Sequence, residues 1–302
     1  MAPYSVDLHS HTVFSPDARK TPEELVGIAA ARGCRLLSIT DHNHPGAQCR
    51  ARAEATRLGL PYLTGMELDL RDPETGRFYH FLLFGFDPED AALVALARKQ
   101  RAAYTQWFEE LAEGFSACGY PLDIGGLEAG LRERYAGNPA PELNQWWAEE
   151  WLVRHGEIAD RRAFVKRLRE ARAARPLTPA RVFFSEVDEV IRMIHAAGGV
   201  ILLAHVGRYF PGEAGAQIAL IRSLLARGMD GFELYHPSNL AEPDFPALEA
   251  AAREELDCLL SAGSDTHHAV WSDQPDQPLF GRMEVPPWVQ ERLPVHSPRR
   301  AE

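Results

Sequence analysis

Short apolar runs alternate with amphipathic stretches along the first third of the chain. Residues 5–9 (SVDLH) read as a strand and residues 21–33 (TPEELVGIAAARG) as a helix. That helix has Thr21 as N-cap, Pro22 in the first turn, Glu24 closing a capping box and Gly33 ending it. Residues 34–42 (CRLLSITDH) predict a second strand, residues 45–59 a second helix and residues 60–70 (LPYLTGMELDL) a third strand. The turn chemistry of DPETGR, residues 72–77, leads into the apolar strand FYHFLLFGF.

The pattern then changes. Residues 88–180 read almost entirely as helix, punctuated at Gly119, Pro121, Gly137, Pro139 and Pro141. Strands resume at GGVILLAHV, GFELYHP and CLLSAGSDTH, with helices between them, one of which has Ser185 as its expected N-cap. This is a βα series interrupted by a helical insertion. The expected divisions are 1–87 and 183–271 for the two parts of the α/β unit, 88–182 for the insertion and 272–302 for an irregular, proline-rich C-terminal segment.

Composition limits the partners. The 302 residues are 45% hydrophobic, ample for a large core, and carry a net charge of −11, which disfavours a basic nucleic-acid groove or an anionic membrane as main partner. No apolar run approaches the length of a membrane span, and no signal pattern opens the chain, so a cytoplasmic enzyme is expected. The cysteines Cys34, Cys49, Cys118 and Cys258 form no CxxC pair, which argues against a thiolate metal site.

Histidines and carboxylates collect where strands give way to loops. In DLHSHT a strand would present His9 and His11, two residues apart, on one face. Asp17 follows in the next loop, Asp41 and His42 in TDHNH, Glu67 in GMELD, His80 in YHFLLF, His205 in LLAHVGR, His236 in ELYHPSN, and Asp265 with His267 in GSDTHH. Imidazole with carboxylate and no thiolate suits Zn, Mn or Fe, and about nine ligands exceed what one ion takes. A cluster of two or three divalent ions follows.

This ordered set of motifs resembles the PHP (polymerase and histidinol phosphatase) family over residues 4–86 and about 183–268. It most resembles the stand-alone phosphoesterases of that family that carry a helical insertion. The resemblance implies a distorted (β/α)7 barrel with an inserted helical subdomain over its mouth. It also implies a first ion held by His9, His11, Glu67 and Asp265, and a second that shares Glu67 and adds His80 and His205. Asp17, His42 and His267 would hold a third. The chain departs from the pattern at Val206, where AHP is common, at SPDAR in place of a simple SDG, and at Asn239 in place of a frequent histidine.

The implied activity is hydrolysis of a small phosphate ester, such as a nucleoside phosphate, by a metal-activated hydroxide. Arg208 would fork onto the phosphoryl group and His236 would protonate the leaving oxygen. Alternatives are histidinol-phosphate phosphatase, an amidohydrolase-like hydrolase of a non-phosphate bond, a polymerase-associated or exonuclease module, and an inactive metal-bound scaffold. The expected partner is a small-molecule phosphoester, without a stable nucleic-acid complex. His44, His155, His195 and His296 read as structural, the tryptophans Trp146, Trp147 and Trp151 as a small core, and the charged run 161–175 as a solvated helix face.

Overall fold

The computed structural model describes residues 4–136, 142–176, 184–267 and 278–297. His268 and the punctuation residues Gly137, Pro139 and Pro141 lie outside them. The elements in chain order begin β1 (Tyr4–Asp7), α1 (Pro22–Ala31), β2 (Leu36–Leu37), α2 (Gln48–Leu58), β3 (Gly65–Arg71) and β4 (Phe78–Phe84). Four helices follow: α3 (Ala91–Ala117), α4 (Ile124–Arg134), α5 (Gln145–Arg154) and α6 (Arg161–Ala174). The chain returns through α7 (Val187–Ala196), β5 (Val200–Leu203), α8 (Ala214–Ala226), β6 (Gly231–Tyr235), α9 (Pro237–Leu240), α10 (Phe245–Glu254) and β7 (Leu259–Ala262). It closes with β8 (Met283–Val285) and α11 (Pro287–Gln290).

The fold is mixed α/β. Strands β2–β1–β8 form one sheet and β3–β4–β5–β6–β7 another. The DPETGR turn makes β3 and β4 an antiparallel hairpin, so His80 stands near the start of its strand and opposite Asp69. Strands β5, β6 and β7 run parallel, as their helical crossovers require. Isolated parallel bridges, Leu37 to Tyr62, His42 to Glu67 and Ser10 to Thr266, join the two sheets.

The capping box of α1 forms as the sequence predicts: Thr21 Oγ accepts the Glu24 N–H at 3.2 Å and Glu24 Oε2 accepts the Thr21 N–H at 2.8 Å. Three other expectations change. The second strand shrinks to two residues, because the chain beyond it bonds irregularly: the Ser38 N–H reaches the Asp7 carbonyl and the Thr40 N–H the Ser10 carbonyl. Ser185 does not cap α7. Its hydroxyl meets Lys99 Nζ and its N–H donates to Gln100 Oε1, leaving Glu186 as an N-cap whose side chain makes no capping bond and pairs with Arg71. Part of the C-terminal segment is ordered, with β8 pairing antiparallel to β1 from Tyr4–Val285 to Val6–Met283.

One apolar cluster fills the space between the five-stranded sheet, α7, α8 and α10; a second joins α1 and α2 to the helices of the insertion through residues such as Leu25, Ile39, Phe115, Leu127 and Phe164. Gly263, just past β7, lets the chain pass against His9: a Cβ there would stand 2.3 Å from His9 Cβ. Among the described residues no helix is long and apolar enough to cross a membrane.

Candidate metal centre

Strand β1 runs into a fully buried segment that carries His9 and His11. His9 Nε2 lies 3.1 Å from Glu67 Oε2 and 3.3 Å from Asp265 Oδ1; His11 Nε2 lies 3.2 and 3.1 Å from the same two oxygens. Neighbouring ligand atoms around an ion with bonds of about 2.0–2.2 Å stand about 3.0–3.4 Å apart. These four side chains therefore have the spacing of donors that share one ion.

Glu67 divides the histidines between its two oxygens. Oε2 faces His9, His11 and His42, whose Nδ1 is 3.2 Å away. Oε1 faces His80 Nδ1 at 2.8 Å and His205 Nε2 at 3.2 Å. The hairpin register explains half of this: on β3, Glu67 and Asp69 share a face, and His80 is paired with Asp69. Beyond Oε2, Asp17 Oδ2 is 3.3 Å from His267 Nε2 and 3.8 Å from His42 Nε2. The ring atoms of His11, His42 and His267 also converge.

All nine residues singled out as ligands thus meet in one place. The electrostatics fit cations there. Burial works against the Glu67 carboxylate, yet His9, His42 and His80 hold its pKa well below the usual range. Asp265 behaves likewise, with burial opposed by His9 and His267. Burial pushes His205 down to about 3, which leaves a neutral imidazole, the form that ligates. His42 Nδ1 is buried and, despite its closeness to Glu67, has no hydrogen bond. A buried imidazole nitrogen beside a carboxylate, with no hydrogen bond between them, suits an ion shared by the two. The donor set therefore fits divalent cations.

Arg208 and His236 stand on the far side of Asp265. While Oδ1 of Asp265 faces His9 and His11, Oδ2 accepts from Arg208 Nη2 at 2.7 Å and lies 3.4 Å from His236 Nε2. The Arg208 side chain is 48% exposed. His236 is buried; its Nδ1 accepts the Ser238 N–H at 3.0 Å, so a neutral ring carries its proton on Nε2. His205 and Asp265 have positive φ, 31° and 54°, and Asn43, beside His42, has 52°. Strained backbone concentrated beside the cluster is typical of functional sites.

Other residues hold the imidazoles from behind. Glu233, on β6, reaches His9 Nδ1 at 3.0 Å and accepts the His205 N–H at 2.9 Å. Asp69 Oδ1 is 2.9 Å from His80 Nε2, and its Oδ2 accepts from Tyr104 Oη at 2.6 Å and Asn43 Nδ2 at 2.8 Å. Both carboxylates escaped the sequence reading. Their signal was a charged residue inside an apolar strand, GFELY and MELDL. Asp41, the residue before His42, also stands behind the imidazoles, acting through a hydroxyl. It accepts from Ser15 Oγ at 2.8 Å, and Ser15 Oγ lies 3.1 Å from His11 Nδ1. Asn239 is no ligand either: it pins the turn after His205 by accepting the Gly207 N–H at 2.8 Å.

A model of the PHP domain matches residues 7–125. The 3′,5′-nucleoside bisphosphate phosphatase of Chromobacterium violaceum is 30% identical over 269 residues, 87% of each chain. The 5′-3′ exoribonuclease of Haemophilus influenzae is 28% identical over 263 residues, 86% of this chain and 89% of the relative. A crystal structure from Bifidobacterium adolescentis, described as a metal-dependent phosphoesterase, superposes with a TM-score of 0.71 at 25% identity, covering 96% of both chains.

Proposed function

The chain belongs to the PHP domain family and is a metal-dependent phosphoesterase, and from that premise we propose that it hydrolyses a small nucleotide-like phosphate ester at a cluster of two or three divalent ions. The observation that carries this reading is Glu67, with both oxygens facing imidazoles on opposite sides. His9, His11, Glu67 and Asp265 would hold one ion, Glu67, His80 and His205 a second, and Asp17, His42 and His267 a third, with Mn, Fe or Zn the best match for nitrogen and oxygen donors. Bound there, such ions supply Lewis-acid charge to a phosphoryl oxygen and make water acidic enough to ionise near neutral pH.

The chain's own groups do the rest. The Arg208 guanidinium, half exposed beside Asp265, is placed to meet a phosphoryl oxygen. His236 holds a proton at Nε2, where a leaving alkoxide needs one. The isolated bridges between the sheets support a distorted barrel whose strand ends face the cluster. The described residues of 88–182 would be the helical insertion at its mouth, a reading supported by the bond of Tyr104 to Asp69 and by Arg101 Nη1, which donates to the Asn43 carbonyl at 2.7 Å. The names of the relatives support a nucleotide-like substrate.

The test is orthophosphate release from nucleoside monophosphates and bisphosphates and histidinol phosphate, with chromatographic detection of the products from phosphodiester, amide and lactone substrates, each with Mn, Fe or Zn added. Release from a nucleotide is expected; turnover confined to amides or lactones overturns the reading. Arg208→Ala is expected to lower kcat/KM for the phosphoester about tenfold, the equivalent of about 1.4 kcal/mol from one charge-assisted contact. Metal content should not fall, and Arg208→Lys should recover part of the rate because it keeps charge without the planar fork. Equal kcat/KM for Arg208→Ala and wild type makes the arginine a bystander.

A further inference from the structure

Three arginines meet one carboxylate beside the loop that carries Asp17. Glu150, buried on α5, receives Arg19 Nη2 from that loop at 3.3 Å, Arg134 Nη1 from the end of α4 and Arg154 Nη2 from its own helix. All three reach the same oxygen, Oε1. One negative charge thus faces three positive ones. Burial, and after it the neighbouring Arg134 cation, bring the Arg19 guanidinium down to about 10. Arg19 Nε is buried and has no hydrogen-bond partner. A buried donor left unpaired is costly, and more so on a charged group.

Beside this cluster is a recess of about 240 Å³ lined by Arg19, Arg134 and Tyr135, with Val13, Ala18 and Thr21. Among the described residues no carboxylate lines it. A water molecule's share of the liquid is about 30 Å³, so a tetrahedral oxyanion fits with water around it. Arg134 is held in place by rings: its guanidinium lies 5.7 Å from the ring centroid of Tyr135 and 5.5 Å from that of Trp147. Arg19 comes from the segment between β1 and α1 and Arg134 from α4, so a ligand held by both spans two parts of the chain. A guanidinium has five N–H donors, more than a share of one carboxylate oxygen satisfies.

We propose that this recess is an oxyanion site, in which a phosphoryl group bridges Arg19 and Arg134 and ties α4 to the loop that carries Asp17. A phosphoryl group suits it better than a carboxylate. Two guanidiniums from separate elements need acceptors in more than one direction, and a tetrahedral anion has them and brings more charge. Free orthophosphate and a further phosphoryl group on the substrate share this chemistry. The site is separate from the metal centre, since none of the nine candidate ligands lines the recess. Asp17, two residues before Arg19, turns its Oδ2 to His267 and His42 instead.

Calorimetric titration of orthophosphate into metal-loaded protein reads the site. Wild type is expected to take up one orthophosphate per chain more than Arg19→Gln or Arg134→Gln. A parallel titration compares the non-hydrolysable phosphonate analogues of adenosine 5′-monophosphate and adenosine 3′,5′-bisphosphate. Where the substrate itself supplies the anion, wild type prefers the bisphosphate analogue, and each variant lowers that preference at least about tenfold, the effect of one lost charge-assisted contact. Extra orthophosphate lost in the variants identifies free orthophosphate as the occupant; a lost preference identifies the substrate. Arg19→Lys should keep part of either effect, since it keeps the charge. Arg154→Gln is the control: Arg154 touches the same Glu150 oxygen but does not line the recess, so both readouts should stay at wild-type values. Both readouts are binding, so neither depends on which bond is cleaved at the metal centre. Equal uptake and equal preference in wild type, Arg19→Gln and Arg134→Gln overturns the proposal. So does the same loss in Arg154→Gln, which would mark the cluster as purely structural.

Discussion

Glu67→Gln is expected to lose at least one bound metal ion per chain and to lower phosphoester hydrolysis by at least about a hundredfold, beyond the 10–100-fold typical when only an outer partner of a ligand is removed. The reason lies in the division of labour between the two oxygens. Each faces at least two imidazole nitrogens, Oε2 at 3.1–3.2 Å and Oε1 at 2.8–3.2 Å. An amide keeps one oxygen and turns an NH2 toward the other side. That group cannot ligate and brings no negative charge to a fully buried position. Whichever way the amide settles, one side of the cluster is lost. Elemental analysis and kcat/KM, measured on protein whose circular dichroism matches wild type, check this. A folded Glu67→Gln chain with full metal content and normal turnover would show that the carboxylate bridges nothing.

Much of this centre was legible because its chemistry is written in residue types that rarely gather by chance. His9 and His11 two apart after a strand, a carboxylate within the third strand and Asp265 with His267 after the last all stand where the motifs put them. The capping box of α1 was equally plain, since it depends on four consecutive residues and no distant partner. What stayed hidden depended on distant pairing. The cap expected at Ser185 failed because Lys99 and Gln100, nearly ninety residues earlier, claim its polar groups. Pairing of β8 with β1 joins the two ends of the chain, and nothing local in residues 283–285 announces it.

Glu233 was hidden for the same reason, and it carries the second large effect. It is fully buried on β6, between Phe232 and Leu234. Burial works against its charge, but His9 and His236 hold its pKa below the usual carboxylate range. Both of its partners are donors: His9 through Nδ1–H, if Nε2 is to face an ion, and His205 through its backbone N–H. A glutamine keeps one acceptor oxygen where the carboxylate has two, so the shorter contact of His9 Nδ1 with Oε1, at 3.0 Å, and the contact of the His205 N–H with Oε2, at 2.9 Å, cannot both be kept. With its oxygen toward His205, its NH2 meets His9 Nδ1 and favours the tautomer that carries a proton on Nε2, pointed at Glu67 and Asp265 where a lone pair is needed. With its oxygen toward His9, its NH2 opposes the His205 N–H and disturbs a residue already held at φ 31°. Glu233→Gln is therefore expected to weaken metal affinity about 10–100-fold, as loss of a carboxylate behind a metal-bound histidine does elsewhere. The loss should show as a rightward shift of the metal-activation curve, with much of the rate restored at saturating metal. A purely structural role would instead lower the melting temperature and leave the metal-activation midpoint where it is in wild type. An unshifted midpoint in Glu233→Gln would sever the link between this carboxylate and His9.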